Sequence, residues 1–211
     1  IYTPPDDPDV LQALMQNLEL YLNINAEDDV APLIKLAVQH YQFESIHPFY
    51  DGNGRTGRII NVLYLILQEL LTEPILYISG YIIRHKTTYY RLLQEVRTSQ
   101  NWQDWILFML QAVEETARQT IDQILSIQTL FDQTVEQIRR EAPTVYSKEL
   151  VEVLFLYPYS KIEYVVDKLS IDRRTASKYL RAVEKIGLLR SEKKWKETLF
   201  INTRLFDLLK E

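Results

Sequence analysis

The sequence predicts a mainly α-helical protein built in two units. Three observations predict it. Apolar residues recur at spacings of three and four through most of the chain. The charge changes sign near Ala142-Pro143-Thr144: residues 1–143 carry 10 Lys+Arg against 19 Asp+Glu, a net −9, while residues 144–211 carry 14 against 10, a net +4. After that point the pattern shortens to three small helices and a charged hairpin. The expected division is therefore 1–143 and 144–211.

In the first unit, Pro8-Asp9-Val10 opens a helix with apolar residues at Leu11, Leu14, Met15, Leu18, Leu20 and Leu22, most of them expected on one face. Asn23–Asp29 reads as a turn. A second helix is expected over Val30–Phe43, with Leu33, Ile34, Leu36 and Ala37 inward. Glu44–Gly54 reads as a loop, because Pro48 disfavours helix at the residue before it and Gly52 and Gly54 admit backbone angles that other residues avoid. An apolar helix follows over Arg55–Leu71 and ends at Thr72-Glu73-Pro74. Further helices are expected at Tyr81–Val96 and Trp102–Arg140, the last forming a bundle face, with two segments or a homodimer seam as alternatives.

In the second unit, helices are expected at Lys148–Phe155, Ile162–Leu169 and Arg173–Ile186, with a turn at Ser170-Ile171-Asp172 and strands at Leu188–Arg190 and Thr198–Asn202. This order resembles a winged helix-turn-helix. Asp172 would cap the third helix, which displays Arg173, Arg174, Thr175, Ser177, Lys178 and Arg181. Lys193, Lys194 and Lys196 would sit on the hairpin. Arg173, Arg174, Lys178 and Arg181 are therefore candidate DNA contacts. The competing reading is a protein-binding or purely structural unit.

The chain has no cysteine, which excludes disulfides and thiolate metal sites and fits a cytoplasmic setting. The longest apolar run, Ile59–Leu67, is interrupted by Asn61 and too short to span a bilayer, so no membrane partner is expected. Hydrophobic residues make up 46% of the chain, ample for a packed core. The chain starts at Ile1, so targeting is not read from this end.

The informative segment is His47-Pro48-Phe49-Tyr50-Asp51-Gly52-Asn53-Gly54-Arg55-Thr56-Gly57-Arg58. Glycines flanking an asparagine let successive N–H groups face one concavity, and a following helix adds its unpaired N–H groups and positive dipole end. That combination binds phosphate. Arg55 and Arg58, three apart, would lie on neighbouring positions of the first helical turn with forked donors. Asp51 would repel a bare phosphate but accommodates a Mg²⁺ held between carboxylate and phosphates. His47 carries an imidazole, the side chain suited to taking a proton near neutral pH. Gly52-x-Gly54-x-x-Gly57 also matches a dinucleotide-binding pattern, but no strand precedes it and no βαβ unit surrounds it.

His47–Arg58 is similar to the Fic family signature, His-x-Phe-x-(Asp/Glu)-Gly-Asn-Gly-Arg-x-x-Arg, at every specified position. Tyr2-Thr3-Pro4-Pro5, Tyr89-Tyr90 and Trp102–Phe108 resemble flanking segments of that family, so the resemblance covers roughly residues 2–112. The tail resembles the winged helix-turn-helix appended to some bacterial Fic proteins. The resemblance implies transfer of AMP from ATP to a Tyr, Thr or Ser hydroxyl of a protein, auto-modification included. It implies His47 as general base, Phe49 as a buried anchor and Asp51 as the Mg²⁺ ligand. Gly52, Asn53 and Gly54 would be an anion hole within the nucleotide-binding run Gly52–Arg58, with Arg55 and Arg58 on the distal phosphates. Tyr89 would pack near the nucleotide. The family's inhibitory pattern, (Ser/Thr)-x-x-x-Glu-(Gly/Asn), has no counterpart, since no Glu-Gly or Glu-Asn occurs. The family's target-docking flap would precede Tyr2, so the first unit is expected to be N-terminally incomplete.

Two other readings compete. One is a Fic-type enzyme with another outcome: a different nucleotide, phosphocholine or phosphoryl transfer, or AMP removal. The other is a nucleotide-sensing DNA-binding regulator, against which the intact His47 argues. Outside the loop, His40 reads as a surface or packing residue, His85 as structural or solvent-facing, and Trp102 and Trp105 as core anchors.

Overall fold

The computed structural model describes residues 2–23, 30–195 and 197–210. The expected turn at Asn23–Asp29 and the hairpin residue Lys196 fall mostly or wholly outside them. The chain divides into two compact units, Ile1–Thr120 and Ile121–Glu211. That division falls inside one helix, upstream of the charge change at Ala142. Packing and charge mark different points because Phe131, Val135 and Ile138, at the end of that helix, contribute to the second unit's core.

The first unit contains α1 (Pro8–Asn23), α2 (Pro32–Ile46), α3 (Asn53–Leu67), α4 (Ile78–Arg84), α5 (Lys86–Ser99) and the start of α6 (Trp102–Glu141). Pro32 sits in the first turn of α2, where its missing N–H costs nothing. The α2–α6 faces enclose Leu36, Ala37, Tyr64, Leu65, Tyr81, Tyr89, Leu92, Val96, Trp105, Phe108 and Met109. Trp105 is 0% exposed, and its indole N–H donates to the Ala37 carbonyl at 2.8 Å. That bond satisfies its one polar atom and pins α6 to α2. A smaller cluster, Leu18, Phe43 and Ile46 with Leu11, Leu14, Met15 and Ile60, joins α1 to α2 and α3.

The expected helix over Tyr81–Val96 is two helices, α4 and α5, broken at His85, whose backbone leaves the helical region at φ −111. Its ring stacks on Tyr81, and Nδ1 lies 3.0 Å from the Tyr81 carbonyl. Conversely, α6 is one unbroken 40-residue helix. Neither Gly nor Pro lies within it to divide it.

The rest of the second unit contains a 3₁₀ turn (Pro143–Val145), α7 (Lys148–Leu156), β1 (Tyr159–Ser160), α8 (Ile162–Leu169), α9 (Arg173–Lys185), β2 (Arg190–Lys194), β3 (Glu197–Ile201) and α10 (Thr203–Leu208). Ser147 caps α7 by accepting from the Leu150 N–H at 3.1 Å. Asp172 caps α9, accepting from Arg174 and Thr175 N–H at 2.8 and 3.1 Å. Ser170, with φ 53, makes the left-handed turn between α8 and α9. The sheet order is β1-β3-β2, all antiparallel, which leaves β2 on an edge. Leu150, Val151, Leu154, Val165, Ala176, Leu180, Val183 and Phe200 form its core. Leu188 and Leu189, expected within a strand, are buried core residues ahead of β2. β1 and α10 are too short for periodicity to reveal. Among the described residues, no helix is long and apolar enough to cross a membrane.

Candidate active site

The twelve-residue run of the sequence forms the connection from α2 to α3. α2 ends at His47, which adopts a left-handed conformation (φ 53, ψ 53) and returns its N–H to the Phe43 carbonyl at 3.0 Å. Pro48 follows and forbids continuation. α3 starts behind Gly52, whose φ of +90 is open to glycine and strained for other residues. Between these two left-handed residues the loop is closed by Asn53. Only 2% exposed, it donates its amide to the Phe49 carbonyl at 2.6 Å and accepts from the Phe49 N–H at 2.9 Å. Asn53 is therefore a strap across the turn as well as the first residue of α3. The first helical bond runs from the Thr56 N–H to the Gly52 carbonyl at 2.9 Å, with the Thr56 hydroxyl on the same oxygen at 3.1 Å. The N–H groups of Asn53, Gly54 and Arg55 lie ahead of that bond and are free of the helix ladder. This is an anion-binding end.

The charged groups gather there. Asp51 accepts from the Gly52 N–H at 2.7 Å and pairs with Arg55 at 3.1 Å. Both side chains are mostly exposed, so the pair contributes little to stability. Among the described residues no group of three or more His, Asp or Glu side chains could hold a metal ion. Asp51 fits the other mode, in which Mg²⁺ takes one carboxylate and completes its shell with water and substrate phosphates. Arg58 is half-buried, and its Nε donates to Ser79 Oγ of α4 at 2.7 Å. His47 is exposed at the other end of the loop.

Three expectations need correction. Phe49 is not a buried anchor: it is 49% exposed, and the Asn53 strap holds the loop through backbone instead. Tyr89 offers no surface to a nucleotide. It is 3% exposed in the core, its hydroxyl is bonded to His40 Nε2 at 3.0 Å, and burial raises its pKa well above 10. Gly57 faces α2 rather than the loop: a Cβ there would lie 2.9 Å from Glu44 Oε1 and 3.0 Å from Phe43 Cδ1. It permits close helix approach. Sequence reasoning also missed two residues. Ser79, 21 positions from Arg58, carries no local signal. Glu44 lies one helical turn before His47. Burial raises its carboxyl pKa, opposed by the charges of His47, Arg58 and Arg97.

His40 supports the site from below. It is 0% exposed, and its ring lies parallel to Trp105 at 6.1 Å. Burial, then the charge of Arg58, lowers its pKa from 6.5 to about 3. The folded chain thus refuses a proton that the unfolded chain accepts below pH 6.5, so stability falls as pH drops from 6.5 towards 3. The slope from this one group is about 1.4 kcal/mol per pH unit. The raised pKa of Glu44 acts in the opposite sense, because the folded chain takes up that proton first. Comparing wild type with His40→Gln cancels the Glu44 contribution. Urea unfolding at pH 7 and pH 5 should show wild type losing about 2 kcal/mol more than the variant. Equal losses would exclude His40 as the source.

Comparison with known proteins gives this loop its context. Residues 1–65 match the Fic/DOC family. Over those residues the chain is similar to that family. Residues 130–205 match a second family, the C-terminal domain of SoFic-like protein adenylyltransferases. A 56-residue stretch is 43% identical to protein adenylyltransferase Fic of Drosophila grimshawi, covering 26% of this chain and 12% of that protein. The Drosophila melanogaster protein of the same name gives 43% over 56 residues, 26% of this chain and 11% of that protein. The chain thus spans about one-eighth of the length of these curated relatives. The crystal structure of a Fic family protein from Desulfovibrio desulfuricans G20 superposes over 94% of this chain and 56% of that one, with a TM-score of 0.51 and 21% identity. That likeness shows the fold. The mainly α Fic architecture expected from the sequence is the one found.

Proposed function

We propose that this chain transfers AMP from ATP, with Mg²⁺, to a Tyr, Thr or Ser hydroxyl of a protein. The observation that carries this reading is the loop: an exposed imidazole at one end, a free helix N-terminus at the other, Asp51 just ahead of that terminus and Arg55 and Arg58 within the first turns of α3. His47 takes the proton of the acceptor hydroxyl. The oxygen forms a bond to the α-phosphorus, the bond to the bridging oxygen breaks, and pyrophosphate leaves. The N–H groups of Asn53, Gly54 and Arg55 receive the charge developing on the phosphate oxygens. Arg55 and Arg58 hold the departing phosphates. Asp51 would hold Mg²⁺, which when bound neutralises phosphate charge.

Incubation with labelled ATP and Mg²⁺ tests the proposal. Label from the α-phosphate should appear on protein. Label from the γ-phosphate alone would mean phosphoryl transfer instead, and nucleotide binding without any transfer would mean a sensor.

For the second unit we propose a winged helix-turn-helix that contacts DNA through Arg173, Arg174, Lys178 and Arg181. The capped, strongly cationic α9 favours this. Of the four, Arg181 is partly engaged by Glu184 at 2.7 Å and Ser191 at 2.9 Å. The double variant Arg173→Glu/Arg174→Glu should transfer AMP at the wild-type rate, since neither residue belongs to the loop. A clear loss in the labelling assay would make the second unit part of the catalytic apparatus.

A further inference from the structure

The hairpin of the second unit breaks a rule of turn chemistry. β2 and β3 pair up to Lys194 and Glu197, so a two-residue connection joins them and Trp195 opens it. Such loops favour Asn-Gly or Asp-Gly because they require positive φ. Here the first position is a tryptophan with φ 59, and its side chain is 92% exposed. A bulky residue in the left-handed region is strained, and an exposed indole gains nothing from the core. Among the described residues its ring meets no other aromatic ring and no cation. Departures from local rules without an internal gain concentrate where a protein meets a partner.

The surroundings of the tip name that partner. Glu197 and Thr198, just after the turn, share a small cleft with Arg173 at the start of α9. The hairpin tip and the cationic end of α9 therefore lie at one end of the unit. Arg173, Arg174, Lys178, Lys193 and Lys194 are exposed, and none has an ion pair among the described residues. Most of the nearby acids are occupied, while Glu192 is exposed on β2 beside Lys193. Glu197 and Glu163 pair with Lys161 at 2.8 and 3.7 Å, Glu184 pairs with Arg181 at 2.7 Å, and Asp172 caps α9. What remains is a cationic excess, five exposed cations against the single exposed carboxylate of Glu192, around a projecting indole. Phosphate contacts from a helix, combined with an apolar side chain that enters between base steps, form a known mode of duplex binding.

We propose that Trp195 is a wedge for duplex DNA: α9 lies against the major groove and the hairpin carries the indole into the neighbouring minor groove at a base step. The inference rests on the DNA-contact reading of α9. The test uses the full chain, a short labelled random-sequence duplex and the variant Trp195→Asn, which keeps a residue that tolerates positive φ and so preserves the turn. Wild type should bind with an affinity that falls linearly with the logarithm of salt concentration. Trp195→Asn should bind about tenfold more weakly with the same salt dependence, the loss expected for one aromatic contact with bases. Arg173→Glu/Arg174→Glu should lose affinity and flatten the salt dependence. Wild-type indole emission should be quenched by the duplex, and the quenching should vanish in Trp195→Asn.

Duplex binding that Trp195→Asn leaves intact would overturn the wedge while sparing the DNA reading of α9. Absence of duplex binding at low salt, or preference for phosphatidylserine vesicles, would overturn both. AMP transfer is assayed separately, and its success or failure bears only on the loop.

Discussion

His47→Ala is expected to bind ATP and Mg²⁺ as wild type does and to transfer AMP about 10²–10⁴-fold more slowly. The two halves of this result have different physical origins. Nucleotide binding depends on the free N–H groups of α3 and on Asp51, Arg55 and Arg58, none of which hydrogen-bonds to the His47 side chain. Transfer depends on removal of a proton, for which the loop offers no other exposed base near its start. Because His47 sits at φ 53, alanine there also strains the backbone. His47→Asn is the matched control, since asparagine tolerates that region while lacking a comparable base. Both variants should fail in the α-label assay, and isothermal titration with ATP should find both competent to bind. Undiminished transfer by either would remove His47 from the chemistry.

The second large effect concerns stability. Gly57→Ala is expected to lower stability by about 1–2 kcal/mol, although alanine favours helix over glycine by about 1 kcal/mol. The added methyl would lie 2.9 Å from Glu44 Oε1, 3.0 Å from Phe43 and 3.3 Å from His40. Phe43 and His40 are core side chains, so relief requires α2 and α3 to separate. Gly54→Ala makes the contrast. Its methyl would meet Arg58 Nη1 at 3.0 Å, the far end of a flexible side chain, with Glu44 Oε1 at 3.8 Å. That variant should unfold at the wild-type urea midpoint but bind ATP more weakly, because Arg58 is displaced. If Gly57→Ala melts with wild type, the close approach of α2 and α3 does not exist in solution.

These two glycines mark how far the sequence could be read. Both lie in one twelve-residue run, and both were expected to serve the nucleotide. Spacing along a chain does not say which side of a helix a glycine faces, and the packing of α3 on α2 decides it. The same limit applies to Tyr89, whose neighbour Tyr90 is exposed while Tyr89 itself is buried. Phe49 errs in the other direction: the family resemblance implied a buried anchor, yet the polar Asn53 does the holding. What was legible was local. Pro48 and Gly52 announced the loop, Asp172 announced a helix start, and apolar spacing located the helices. What was not legible arose from tertiary contact, such as Ser79 holding Arg58, or Phe131 and Ile138 drawing the end of α6 into the second core.

The outer strand β2 reads Arg-Ser-Glu-Lys-Lys. An open strand edge is a template on which another chain can polymerise, and charged side chains along the edge, lysines above all, oppose that addition. Copies of this protein should therefore resist fibre growth through the sheet even in crowded solution. The projecting hairpin then stays single and free for a different kind of encounter.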